Sequence, residues 1–233
     1  MLIVIRLSIT EVWRRIAGLL LVAGCLIVSS AQGADARAPS TVAEYRILKT
    51  IAQPAPGIRY CVTCHGVDGR GNEAVRAPKL AGMARWYLER QLAGFQLGYR
   101  GSHRDDLDGK EMRPMAELLT PVMMNQALDW IATWPVDKPA ATIAGDTARG
   151  RQLYQGCMSC HGNNAQGIEG MGGPALAGQS DWYLVVQLRK FKSGLRGTQA
   201  DDTYGRQMQA MTVLLKDDAD IADVVSYIQT LSL

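Results

Sequence analysis

"CVTCHG", residues 61–66, returns as "CMSCHG" at residues 157–162, so the chain spells nearly the same six residues twice, 96 positions apart. Sliding the sequence over itself by that interval aligns far more than the cysteines. Pro78, Leu80 and Gly82 fall on Pro174, Leu176 and Gly178. The tripeptide Trp86-Tyr87-Leu88 falls on Trp182-Tyr183-Leu184, and Gln91, Leu92 and Phe95 on Gln187, Leu188 and Phe191. Arg100-Gly101 matches Arg196-Gly197, Asp105-Asp106 matches Asp201-Asp202, and Met112 and Met115 match Met208 and Met211. Roughly 26 of 59 positions from Cys61 to Leu119 agree without a gap, which marks a tandem duplication of a module of about 95 residues.

The same comparison sets the boundaries. "WPVDKPAATIAGD", residues 134–146, carries two prolines and small residues, the composition of a linker. Asp146 then offers an N-cap to a helix that leads into the second cysteine pair. In the first module "STVAEYRILKTIAQ" is the counterpart of that helix, but "PAPG" at Pro54 to Gly57 interrupts before Cys61. The expected division is 34–134 for the first module, 135–145 for the linker and 146–233 for the second. Within each module the apolar pattern is helical: Leu88, Leu92 and Phe95 stand at i, i+4 and i+7, and Gly98 and Gly194 close the two copies of that helix. "VMMNQALDWIATW" and "DADIADVVSYIQTL" form the last helices, with Trp130 and Tyr227 near their ends. Nothing alternates as a half-buried strand does, so the expected fold is all-α, two small domains in series.

Residues 1–33 read as a leader. Arg14-Arg15 precede the apolar run "IAGLLLVAGCLIVSS", and small residues follow, with cleavage expected after Gly33 or Ala36. An uncleaved anchor and a lipoprotein signal, with Cys25 as the lipidated residue of "LVAGC", are the alternatives. All three place the body of the protein outside the cytoplasm, and the expected location is the periplasm. The net charge of +3 comes mostly from this segment. Lysine and arginine are otherwise mixed with aspartate and glutamate, which leaves no basic stripe for nucleic acid.

Two cysteines separated by two residues and followed by histidine admit three chemistries. A redox disulfide of the thioredoxin kind needs a βαβ framework and leaves both adjoining histidines unexplained. A structural zinc ion needs four Cys or His ligands, whereas each module supplies three in a row and the one other histidine is His103. A c-type haem uses every residue: Cys61 and Cys64, or Cys157 and Cys160, hold the macrocycle through thioethers, and His65 or His161 lies beneath the iron. The cofactor also supplies core that a domain of this size lacks. Two covalently bound haems are therefore expected.

The second axial position is constrained by counting. Three histidines cannot make two bis-histidine haems, and the residue matching His103 is Gln199, so His103 reads as a solvent-exposed loop residue. Each module instead carries a methionine pair spaced by three, Met112 and Met115, then Met208 and Met211, at the same distance from its haem motif. One member of each pair is expected to be a ligand and the other packing.

The motifs taken together, CxxCH, "P-x-L-x-G", "WYL..QL..F..G", the methionine loop and a terminal aromatic helix, all twice, resemble the dihaem class I cytochromes c, of the cytochrome c4 type. The resemblance covers nearly the whole sequence after the leader. It implies that the first methionine of each pair, Met112 and Met208, is the distal ligand, and that the carbonyls of Pro78 and Pro174 accept a hydrogen bond from the proximal histidines. Trp86 and Trp182 pack near the haems or in the core. Closed His/Met ligation leaves no open position for a substrate and raises the reduction potential. The expected function is single-electron transfer between redox proteins such as a quinol-oxidising complex, a dehydrogenase or a terminal oxidase. The alternatives are a dedicated cytochrome subunit of such a complex, held to the membrane through the N-terminus or a partner, and a dihaem enzyme such as a thiosulfate dehydrogenase or peroxidase, which the symmetry of the methionine pairs disfavours.

Overall fold

A computed structural model of the chain describes residues 59–232. The expected leader, Cys25, the helix at 40–53 and the Pro54–Gly57 interruption lie outside the described residues. The described part is helical, with no strand. The first module contains α1 (Tyr60–His65), α2 (Arg85–Gln96), α3 (Leu107–Glu117) and α4 (Pro121–Ile131). The second contains α5 (Thr147–Tyr154), α6 (Met158–His161), α7 (Asp181–Lys192), α8 (Thr203–Met211) and α9 (Asp218–Thr230). The duplication is visible in the smallest details. An isolated bridge joins Asn72 to Ala77 in one copy and Ile168 to Gly173 in the other.

Local chemistry explains where the helices begin and end. Asp106 and Asp202 cap α3 and α8 by accepting from the backbone N–H groups of Gly109 and Gly205. Asp146 caps α5 through Ala148 and Arg149, as its position before "TARGRQLY" predicts. Gly98 and Gly194 stand just past α2 and α7 with φ of 73° and 75°, a left-handed stop that a side chain would strain. The methionine segments, read from sequence as loops, are helical: both pairs ride on α3 and α8, because the aspartate caps start a helix a turn or more upstream.

In the second module α9 packs on α5 and α7 around Tyr154, Leu184, Val185, Ile221, Val224, Val225 and Ile228, all buried. Gly150 is where α5 meets α9; a Cβ there would fall on the carbonyl of Asp223. Arg149 fastens the same crossing by binding Asp220 and Asp223. The first module's cluster, Ala81, Leu88, Leu128, Ile131 and Trp134, is smaller among the described residues. Burial of one such aliphatic side chain contributes about 2 kcal/mol.

Residues 135–145 are held rather than slack. Buried Asp181 accepts from the N–H groups of Thr142 and Ile143 and from the Thr142 hydroxyl at 2.8 Å, and Lys138 reaches the carbonyl of Leu231 at 3.1 Å. Asp137 pairs with Arg70 of the first module at 3.0 Å. The modules also touch directly. Gln179 donates to the carbonyl of Lys79 at 3.0 Å, Lys190 pairs with Asp106 and Asp108 at 2.5 and 2.9 Å, and the Arg90 guanidinium lies 4.0 Å from the centre of the Tyr204 ring.

Candidate haem sites

Each module encloses one mostly apolar cavity, of about 200 Å³ in the first and about 190 Å³ in the second. The helical stripe lines them: Leu88, Leu92 and Phe95 in one, Leu184, Leu188 and Phe191 in the other. Cys61, Cys64 and His65 reach the first cavity from α1; Cys157, Cys160 and His161 reach the second from α6 and its N-cap. Residues three apart in a helix share a face, which is why a CxxC pair can present both sulfurs to one ligand. The four described cysteines are free thiols, not disulfides. Burial raises the Cys61 thiol, and burial with the nearby Cys160 pushes Cys157 to about 11.

The histidines are buried, 6 % and 7 % exposed. His65 Nδ1 lies 2.8 Å from the Pro78 carbonyl and His161 Nδ1 lies 2.8 Å from that of Pro174. A carbonyl only accepts, so Nδ1 carries the proton in each and the Nε2 lone pair is left for a metal. Burial lowers both imidazole pKa values, against the opposing pull of the proline carbonyl, and so favours the neutral ring. The prolines are delivered by a tight return of the chain. Gly71 and Gly167, with φ of 85° and 84°, hydrogen-bond the carbonyls of His65 and His161 and pass so close to the backbone after each proline that a Cβ would sit 2.6 and 2.5 Å from Lys79 N and Ala175 N.

Both members of each methionine pair line their cavity, as spacing by three on a helix requires. They differ in exposure: Met112 and Met208 are half-buried, while Met115 and Met211 are 45 % and 40 % exposed. His103 lines neither cavity; it is exposed, and its Nδ1 accepts from the backbone of Asp105. Trp86 and Trp182 line neither cavity, and each stacks edge-on against the following tyrosine. Tyr87 and Tyr183 do line them, together with Gln91, Gln187 and Arg100, which border both cavities, and Arg196, which borders the second. The sequence reading missed these as site residues, although all six recur at the interval of 96 and are too polar to be repeated for packing alone.

An apolar slot with two thiols and a neutral imidazole on one wall and a thioether on another fits an iron porphyrin held through thioethers. Comparison with known proteins agrees. The sequence model of the cytochrome c family matches residues 59–134 and again 147–232. The chain is 30% identical to the thiosulfate dehydrogenase electron acceptor of Stutzerimonas stutzeri (strain A1501), over 88% of this chain and 90% of that protein. It is 31% identical to cytochrome c4 of Azotobacter vinelandii, over 73% of this chain and 84% of the relative. The structure of reduced recombinant cytochrome c4 from Pseudomonas stutzeri superposes with a TM-score of 0.56 at 28% identity, covering 75% of this chain and 96% of that one. The chain belongs to the cytochrome c family and is a dihaem electron carrier of the cytochrome c4 kind, with one covalently bound haem in each of its two helical domains.

Proposed function

We propose that the protein is exported to the periplasm and relays single electrons from a dehydrogenase of the thiosulfate-oxidising class to a terminal oxidase or an equivalent acceptor, without turnover of its own. The observation that carries this reading is the matched pair of cavities, each with a CxxC pair, one buried neutral histidine and the half-buried first member of a repeated methionine pair. When bound, each haem supplies a one-electron iron couple. In this reading Cys61 and Cys64 would anchor the first group and His65 and Met112 would hold its iron, while Cys157, Cys160, His161 and Met208 would do the same for the second. Pro78 and Pro174 fix the histidine rings and keep their basicity high on the metal side. The leucine and phenylalanine walls exclude water, and an iron held by both a histidine and a methionine would offer a small substrate no open site.

The donor is suggested by the acceptor role of the Stutzerimonas stutzeri relative. A docking zone is suggested by the rims. Tyr60, Val75 and Leu118 are exposed at the mouth of the first cavity, and Met171, Met211 and Leu214 at that of the second. Exposed apolar side chains beside a redox group suit brief, reversible contact with partner proteins. The test is to mix the purified oxidised holoprotein with thiosulfate, with and without a thiosulfate dehydrogenase. Reduction of both haems only when the dehydrogenase is present is expected. Reduction by thiosulfate alone would make the protein an enzyme and overturn the carrier reading. Failure to accept electrons from the dehydrogenase would remove that donor.

A further inference from the structure

One backbone frame occurs in both modules, but only the first hangs charges on it. After each haem motif the chain doubles back on itself. The N–H groups of Leu80 and Ala81 donate to the carbonyl of Gly69, and those of Leu176 and Ala177 to the carbonyl of Ala165. On this frame the first module carries Asp68, Arg70 and Lys79, where the second carries Asn164, Gln166 and Ala175. Lys79 and Ala175 directly follow the prolines that orient the histidines, and each lines its cavity.

Lys79 is 3 % exposed, and its Nζ donates to the carbonyl of Ala81 at 2.7 Å. Its own carbonyl accepts from Gln179 at 3.0 Å, so the residue is pinned at both ends. It forms no salt bridge among the described residues. The opposing charge stands further off, on Asp137 of the linker. Asp137 pairs with Arg70 at 3.0 Å, and Arg70 pairs again with Asp68 at 2.9 Å. Burial lowers the Lys79 pKa, and the charge of Asp137 opposes that shift. Asp68, Arg70 and Asp137 do not line the cavity. The four groups are therefore balanced in sum but not in position, with one cation in the wall and the other three charges behind it. The remaining charged residues at this cavity are of another kind. Arg76, Asp108 and Lys190 are joined in ion pairs, Arg100 borders both cavities, and Glu111 is exposed.

We propose that Lys79 sets the potential of the first module alone: its buried ammonium, carried by the residue next to the histidine-orienting proline, raises the reduction potential of the first haem and has no equivalent at the second. The inference rests on the assignment of one haem to each cavity. Reduction adds one negative charge to the iron group, and a fixed cation away from water stabilises that charge more than an exposed one does. Asp137 opposes this from the linker, and its pairing with Arg70 weakens the opposition. An electron shared between two sites with the same ligand pattern is thereby biased toward the first.

The test uses the full-length holoprotein and its Lys79→Met, Lys79→Arg and Asp137→Asn variants. Haem content, counted first, checks the haem assignment separately from the role of Lys79. Midpoint potentials are then followed haem by haem, through the paramagnetically shifted haem methyl resonances during a redox titration. Lys79→Met keeps the length of the side chain and removes its charge. It is expected to shift the first haem downward, several-fold more than the second, while Lys79→Arg retains most of the wild-type value. An unchanged first haem in fully loaded Lys79→Met, or equal shifts at both haems, would leave Lys79 as a brace for the Ala81 carbonyl and overturn the proposal. If Lys79→Met is not recovered, Asp137→Asn decides. Loss of the opposing anion should shift the first haem upward, and no shift or a downward one contradicts the proposal.

Discussion

The two modules agree in the CxxCH motif, its proline partner, the apolar stripe and the methionine pair, and part company at several of the contacts each makes with the other. His65 and His161 stand at the same 2.8 Å from their prolines, and the Leu-Leu-Phe stripe and methionine pair recur without change. Across the boundary the copies have diverged in a complementary way. Position 108 is aspartate in the first module and its equivalent, 204, is tyrosine; each receives a cation from the opposite helix. Asp108, with Asp106, takes Lys190, whose counterpart in the first module is Gly94; Tyr204 takes Arg90, whose counterpart in the second is Val186. A duplicated surface facing itself would be a symmetric, self-complementary interface. Replacing one side by an ion pair and the other by a ring–cation contact allows each module to recognise its sibling rather than a copy of itself.

The largest test of the equivalence is removal of one cofactor. Cys157→Ser with Cys160→Ser, and separately Cys61→Ser with Cys64→Ser, should each reduce covalently bound haem from two to one per chain, measured by the pyridine haemochrome spectrum. If either double variant lost both haems, the modules would not be independent attachment sites.

The asymmetry of the boundary is tested next. Lys190→Ala leaves buried Asp106 without its cation and should cost about 3 kcal/mol in denaturant unfolding. Arg90→Ala removes a ring contact and should cost about 1 kcal/mol. Equal losses would show that the two sides of the boundary do the same work.

A smaller contrast lies at positions 85 and 181. Asp181 is buried against the linker, while Arg85, its equivalent, is exposed beside Asp129. Asp181→Asn should cost about 2 kcal/mol, and Arg85→Ala under about 1 kcal/mol. Burial would raise the Asp181 pKa, but four hydrogen bonds from Thr142, Ile143 and Trp182 outweigh it and hold the carboxyl below the usual range. A depressed folded-state pKa means that the contribution is complete above the unfolded pKa of about 3.9 and disappears as pH falls through the folded value. The gap between wild type and Asp181→Asn should therefore close in acid, whereas that for Arg85→Ala should not follow the titration of Asp181.

These contrasts also mark what the sequence makes legible. The haem motifs, the proline partners and the helical stripe are readable because each is a short pattern with one physical explanation and because the repeat states it twice. The aspartate caps could be read as readily: Asp106 and Asp202 recur with Gly109 and Gly205 three residues on, yet both methionine segments were expected to be loops and are helices. The boundary is not legible in the same way. Lys190 pairs with an acid 84 positions earlier in the chain, and no local period reports such a contact. Arg100 and Arg196 were visible as a repeated pair, but their burial between two cavities follows only from how α2 and α7 approach each other. The preference for Tyr87 and Tyr183 over Trp86 and Trp182 at the cavities turns on one residue of helical rotation, a distinction that periodicity does not resolve.

The most direct measurement is a redox titration of the ferric holoprotein followed in the red charge-transfer band that a methionine sulfur produces on haem iron. Two equivalent His/Met sites predict a band with the strength of two centres, reduced by half in Met112→Ala and in Met208→Ala and retained in Met115→Ala and Met211→Ala. A wild-type band with the strength of one centre, or loss of it in the Met115 or Met211 variants instead, would contradict the equivalence of the two sites or the choice of ligands.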